Sequence, residues 1–472
     1  MLAPIGVRVR TVLGDTMRRV IVCAAYAWAL TFSVTPSDAQ EREAVVLGGG
    51  YVMSLDPGVG DLRQGDILVR NGAIAEIAPR IEAPGVTRID LGGKLVLPGL
   101  VDTHTHLWTS SMKGWFQNTP QTAYFDVKAH FGRHFTPEDV RIGTYYGAVE
   151  TLASGVTTTV DFFHNNRGTD FFEANRQALL ESGLRARLLF GAHDDMPADE
   201  TVHLDRLGTL AAGWRDGRVT LGFGWRGPGT GSPQQLATGR TELTAVRALG
   251  LPIAVHASGK TVAPLAASGL LGPDVQIIHA TGASPEELRV FEEAGASLAL
   301  TPVTEQRVGY GVIALRDFEP MRRIGLGIDG PGLAGQADLF ANMRLLALNE
   351  AGRSGDETAP SPRRVLELAT RDAARSIGID DEIGTLTPGK RADIIALDLQ
   401  DLGMGPLPDG DPAALVVYSA QPAHVDFVMV DGEIRKRDGR LRKVDVPRLL
   451  DDVARSIRSV ASRAGGWPPA SD

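Results

Sequence analysis

The chain has 472 residues, 43% of them hydrophobic and 22% charged, with a formal net charge of −9. This length and composition support a large soluble core, and the acidic balance disfavours nucleic acid and anionic membrane surfaces as partners. Beyond about the first 45 residues there is no repeat, charge run or low-complexity tract, which excludes a disordered interaction protein.

The first segment reads as an export signal. Arg18 and Arg19 precede an apolar run over residues 20–34, and small residues at Ser37 and Ala39 prepare a cut after Ala39. The run is short of the roughly 20 apolar residues that a membrane span needs. Met17 is an alternative start, the Arg-Arg pair also fits a twin-arginine route, and a buried N-terminal helix is the structural alternative. Export places the protein in a periplasmic or secreted setting. Cys23 is the only cysteine and lies inside this signal, so the mature chain holds no disulfide, cysteine nucleophile or thiolate ligand. Any metal must be held by His, Asp or Glu.

Short strands follow at residues 44–47 and 66–69, and Asn71-Gly72 marks a hairpin into residues 74–77. This small all-β unit, residues 44–95, ends where Leu95-Val96-Leu97-Pro98-Gly99-Leu100-Val101 changes the character of the chain. From 96 to 382, apolar runs alternate with amphipathic segments. With the run at Leu95, those at 157–162, 186–190, 219–223, 252–255, 275–278, 297–300 and 324–328 number eight. Helices are expected at 137–153, 170–181, 241–249 and 285–294, with caps at Thr136-Pro137 and Ser284-Pro285. Eight buried strands alternating with helices indicate an α/β fold, a closed (β/α)8 TIM-like barrel. An open doubly wound sheet is the alternative, but no Gly-rich phosphate loop follows the first strand. Residues 383–441 return to β character at 392–397 and 425–430, so the two ends are expected to form one small discontinuous β-sandwich domain. A C-terminal helix and tail occupy 442–472.

Chemistry in such a barrel sits at the C-terminal ends of the strands. His104 and His106 end the first run, and residues two apart in a strand point to one side. His164, His193, His256 and His279 end the second, third, fifth and sixth, and Asp329 ends the eighth. A lone histidine at a strand end is ordinarily packing; seven imidazoles or carboxylates in such places are not. Three or four neutral imidazoles with one carboxylate suit one divalent metal, Zn2+ first, with Fe2+, Mn2+ or Co2+ as alternatives. An open coordination position would make a hydroxide nucleophile available near neutral pH. Asp329 would orient the water and take its proton, and His279 would either ligate or polarise the scissile group.

The stretch Pro98-Gly99-Leu100-Val101-Asp102-Thr103-His104-Thr105-His106 resembles the first-strand signature of the amidohydrolase superfamily. The resemblance continues through Ala254-Val255-His256, Ile277-Ile278-His279, Gly327-Ile328-Asp329-Gly330 and the run from Gly384 to Asp393. Thr301-Pro302 with Arg307-Val308-Gly309, and Leu339-Phe340 before Met343-Arg344, are similar to its cytosine deaminase and triazine hydrolase branch. The resemblance implies metal ligation by His104, His106, His256 and Asp329, with His279 at the metal or the substrate oxygen, and catalytic roles for Asp329 and His279.

Two departures narrow what it implies. The fourth strand, residues 219–225, has no lysine to be carboxylated, so one metal is expected rather than two. The deaminase branch has a glutamate three residues after the fifth-strand histidine; here Gly259 stands there. Hydrolysis of a non-peptide C–N bond (amide, lactam or cyclic amidine) in a small molecule is therefore expected. The alternatives are an aminohydrolase of an N-heterocycle with a substituted proton shuttle, and a barrel that binds without catalysis. Trp225, Arg226, His164, His193, Glu305 and Gln306 are candidates for the substrate wall. Arg226 would hold a carboxylate or else a structural ion pair, and Trp108, Trp115 and Phe116 would form a lid or else pack under the first loop. No nucleic acid partner, and no membrane after signal removal, is expected; a homo-oligomer is compatible with the sequence.

Overall fold

The computed structural model describes residues 44–407 and 409–467. The expected export signal, with Cys23, lies outside the described residues. No helix among the described residues is long and apolar enough to cross a membrane.

Five strands come first: β1 (Ala44–Met53), β2 (Asp61–Arg70), β3 (Ala73–Ala78), β4 (Thr87–Asp90) and β5 (Lys94–Pro98). Eight more build the barrel: β6 (Leu100–Thr105), β7 (Val156–Phe163), β8 (Arg185–Gly191), β9 (Val219–Trp225), β10 (Ile253–Ser258), β11 (Val275–Thr281), β12 (Ser297–Leu300) and β13 (Ile324–Leu326). Then β14 (Ile394–Asp398), β15 (Val425–Val430), β16 (Glu433–Arg437) and β17 (Arg440–Leu441) return to the small domain. One nine-stranded mixed sheet holds both ends of the chain, with β14 antiparallel to β5 and β5 parallel to β1. Val45, Ile67, Val96, Ile394 and Phe427 from five of its strands share one core.

The apolar run at Leu95 is two strands rather than one. It breaks at Gly99, where a Cβ would sit 2.1 Å from Thr157 Oγ1, so only glycine lets the chain leave the small sheet and enter the barrel. The barrel strands lie parallel in sequence order, β6 to β13. Every residue of β7 is buried, yet its faces divide: Val160 and Phe162 pack inside the barrel, Phe163 outside against the helices. This alternation is why chemistry-bearing side chains at the strand ends converge.

The seam between β6 and β13 closes by other means than a full ladder. At the top, Thr105 and Asp329 form an isolated parallel bridge, and Asp329 N donates to His104 O at 2.9 Å. Lower down, Val101 N and Leu326 N each donate at 2.8 Å to the carbonyls of Ala369 and Leu368. Buried Asp102 ties the joint from within, accepting from Ile328 N at 2.9 Å, Thr159 Oγ1 at 2.6 Å and His104 N at 3.2 Å. Gly327 permits the approach, since a Cβ there would stand 2.9 Å from His104 O.

Helices at Pro137–Ala153, Thr169–Ser182 and Pro285–Glu293 fall where expected. The helix expected from residue 241 instead begins at Pro233, because Ser232 and Gln235 form a capping box that its polar first turns obscure. The C-terminal helix spans Val446–Arg463 and packs on Pro137–Ala153, where Ser456 donates to Asp139 at 2.6 Å.

Candidate metal and active site

His104 and His106 leave β6 on one side, and His256 comes from β10. Their ligand atoms all lie within 4.8 Å of one another. His104 Nε2 and His256 Nε2 stand 3.2 Å apart, a distance at which two lone pairs need a cation or a proton between them. Asp329 Oδ1 lies 3.5 Å from His104 Nε2 and 3.4 Å from His106 Nε2. His106 Nδ1 is 2.8 Å from the Phe162 carbonyl, so it carries the proton and leaves the Nε2 lone pair facing the cluster. Burial holds His104, His106 and His256 below the ordinary imidazole value, which keeps them neutral. A neutral, convergent, anchored donor set with one carboxylate fits a single divalent cation.

Asp329 is held well below the carboxylate range. Burial alone would raise it, and the hydrogen bond with His104 and the nearby imidazoles outweigh that. His279 shows the opposite sign from the other histidines. Burial opposes protonation, but Glu305 raises it, with Oε1 3.1 Å from His279 Nδ1. Thr301 Oγ1 lies 3.1 Å from the same nitrogen, and Thr301 N donates to Glu305 Oε1 at 3.1 Å. His279 and Asp329 adopt φ of +72° and +63°, in the left-handed region that L-residues occupy only where the surroundings enforce it.

The cluster lies beside a cavity of about 290 Å³ at the C-terminal ends of the strands. His106, His256, His279 and Asp329 border it, as do Trp225, Arg226, His164, His193 and Glu305 of the expected substrate wall; Gln306 does not. Arg226 reaches the wall, but its guanidinium donates to the carbonyls of Met196 (3.1 Å), Pro197 (2.6 Å) and Glu200 and sits 3.7 Å from Glu242. It fixes the loop after β8, so the structural alternative for this residue is the one observed. Trp108, Trp115 and Phe116 do not border the cavity; Trp108 packs edge-on against Phe135 and His164, and Trp115 stacks on Trp467 at 4.6 Å. The cover comes instead from Tyr124, Phe125 and Lys128 on the helix Tyr124–Gly132, with Tyr310 opposite. Sequence reasoning missed these four, though the Tyr124-Phe125 doublet after a polar loop was a usable signal. Gly259 has open space around its Cβ position and places no carboxylate near the site.

Fold and site together define a barrel hydrolase with a histidine-rich metal centre. The profile of the Amidohydrolase family matches residues 95–435, and the chain belongs to that family. The 5'-deoxyadenosine deaminase of Methanosarcina mazei is 27% identical over 440 residues, covering 89% of this chain and 99% of that protein. A 5-methylthioadenosine/S-adenosylhomocysteine deaminase of Moorella thermoacetica is 29% identical, covering 79% and 88%. Among solved structures, a zinc-bound adenosine deaminase from Xanthomonas campestris superposes with a TM-score of 0.78 at 22% identity, covering 89% and 98%. The zinc complex of atrazine chlorohydrolase from Arthrobacter aurescens gives 0.77 at 22%, covering 88% and 100%.

Proposed function

We propose that the protein hydrolyses a carbon–nitrogen bond of a small planar molecule that carries a nitrogen heterocycle. The observation that carries this reading is the convergence of three neutral imidazoles and Asp329 beside a cavity walled by Phe162, Tyr124, Phe125 and Tyr310. Aromatic faces of that kind favour a flat ring, and a volume of about 290 Å³ suits a small heterocycle.

His104, His106, His256 and Asp329 would hold one divalent metal, with zinc, as in the solved neighbours, the first choice. A metal held there would supply Lewis acidity and make a bound water more acidic. Asp329 takes the proton released when water oxygen adds to the carbon and passes it to the departing nitrogen. His279, its Nδ1 side anchored by Glu305 and Thr301, presents Nε2 to the substrate oxygen or nitrogen. The aromatic cover excludes bulk water while the C–N bond breaks. Trp225 and His193 form the far wall; His164, whose buried Nε2 has no partner among the described residues, offers an acceptor to a substrate N–H.

Loss of ammonia from a ring amine is the second reading, and one feature favours it. Glu305, in the turn of helix that follows β12, is a fully buried carboxylate at the cavity, where Gly259 after β10 supplies none. The deaminase relatives point the same way. Assay of the zinc-loaded protein against adenosine-type nucleosides, aminotriazines, lactams and simple amides tests both readings. Ammonia with an intact ring supports deamination; ring opening or a larger amine supports the first reading; no turnover in the whole set would sink both. The exported setting is also a proposal, supported by Arg18-Arg19, the apolar run 20–34 and the small residues before Gln40. Mass spectrometry of the protein from a periplasmic fraction should find Gln40 at its N-terminus; an intact Met1 or Met17 would contradict it.

A further inference from the structure

At the other end of the barrel lies a cavity of about 400 Å³, bordered by the N-terminal starts of β10, β11 and β12. Its charge is unbalanced. Arg187, Arg247 and Arg323 border it with one acid, Asp274, and that acid is engaged by Arg247 at 2.8 and 3.2 Å. Among the described residues Arg187 and Arg323 have no carboxylate within ion-pair distance; Arg187 donates to Ile377 O at 2.9 Å and Arg323 to Pro273 O at 3.3 Å. Among the described residues Arg187 Nε has no acceptor, and neither has Gln276 Nε2, on a side chain only 7% exposed. Burial of its charged end without a neighbouring acid pushes the Arg187 guanidinium down to about 10, the reverse of Arg185 two residues earlier in β8, which two aspartates stabilise. Gly222 makes room for the apolar wall rather than for the arginine, since a Cβ there would stand 2.5 Å from Leu189 Cδ2.

Arg187 is half-buried with its Nε shut off from solvent, and a cation so placed is costly to leave without a counter-charge. Here the unpaired donors share one cavity with apolar walls at Val160, Leu189 and Ile377. The barrel-interior layer formed with Phe162, Ala254 and Ile278 divides it from the metal cluster. We propose that this floor cavity is a second ligand site, one that binds a small organic anion through Arg187, Arg323 and Gln276. Its carboxylate or phosphate head meets the guanidinium forks and the Gln276 amide, and its apolar body meets Leu189 and Ile377. The ligand is distinct from the substrate, because the cavity opens on the opposite face of the barrel.

The test uses the full zinc-loaded protein at constant ionic strength, with benzoate and inorganic phosphate as probes and benzyl alcohol as the neutral control. Calorimetric titration and the shift in Tm are read together. Saturable binding of benzoate, of phosphate or of both is expected, the pattern telling carboxylates from phosphates, with no response to benzyl alcohol. Arg187→Met should weaken binding at least about tenfold, the equivalent of one charge-assisted pair. It should leave the ligand-free Tm unchanged or raised, since a half-buried charge without a counter-charge is removed. Arg323→Met and Gln276→Leu give the same direction if Arg187→Met does not fold. His106→Ala should bind as the parent does. No saturable binding, binding that survives Arg187→Met and Arg323→Met, or binding lost in His106→Ala would overturn the proposal, the last placing the anion at the metal cluster.

Discussion

The catalytic mouth and the clamp that joins barrel to small sheet treat buried polar groups in opposite ways. In the clamp, Arg185 is accepted by both oxygens of Asp393 at 3.1 Å and by Asp431 at 2.5 Å, while Arg218 also reaches Asp431. Asp66 repeats the pattern with Arg88 and the amides of Gly49 and Ile81. At the mouth, His164 Nε2 and Glu305 Oε2 are buried without a partner among the described residues, and His279 and Asp329 sit in a strained backbone region. The difference teaches where the fold reserves interaction capacity for something other than itself: satisfied charges hold the two domains together, unsatisfied ones await a ligand.

The largest effect should come from separating these two regions by mutation. Asp329→Asn is expected to lower kcat by about 10³-fold or more, as loss of both a proton carrier and a metal contact requires. Circular dichroism should show a folded protein; an active variant would break the comparison at the mouth. Arg185→Met should do the reverse. It leaves Asp393 and Asp431 buried beside no Arg185 charge and should cost about 3–5 kcal/mol in denaturant unfolding, with zinc content unchanged. A variant of ordinary stability would show that the clamp is decorative.

A pH series sharpens the same contrast. Burial would raise the Asp431 carboxyl, but Arg185 and Arg218 outweigh it, so the folded value lies below the usual 3.8. Its stabilisation is therefore complete above the unfolded value and is lost as pH falls through the folded one. The stability gap between the parent and Asp431→Asn should be constant from neutral pH down to about 5 and shrink below about 4. A gap that widens in acid would reverse the sign. The smallest effect is expected at Gly259, whose φ of +50° and open surroundings make Gly259→Glu a matter of backbone strain alone. A loss of about 1 kcal/mol is expected, measured by thermal unfolding. A loss several times larger would mean that the space is not open in solution.

Much of the site was legible because a barrel turns sequence order into spatial order. Five residues at strand ends, His104, His106, His256, His279 and Asp329, come together once parallel strands share one pole. The two-residue spacing of His104 and His106 even gave their common side. What failed was what loops decide. Arg226 sits at a strand end like a ligand-binding residue, yet the carbonyls of the loop 196–200 claim it, and no periodicity reports where a loop folds back. Tyr124, Phe125, Lys128 and Tyr310 reach the cavity from segments between the strands, so the strand-end rule passes over them. The helix start at Pro233 and the break at Gly99 were lost for a local reason. A polar first turn hides its own cap, and an apolar run does not reveal that one glycine divides it between two sheets.

The central proposal, that three imidazoles and Asp329 hold one catalytic metal, is tested most directly by metal content. Inductively coupled plasma analysis of the purified protein should find about one zinc, or one other divalent ion, per chain. That value should fall to near zero in His106→Ala together with turnover. Two ions per chain, or a full complement of metal in His106→Ala, would contradict it.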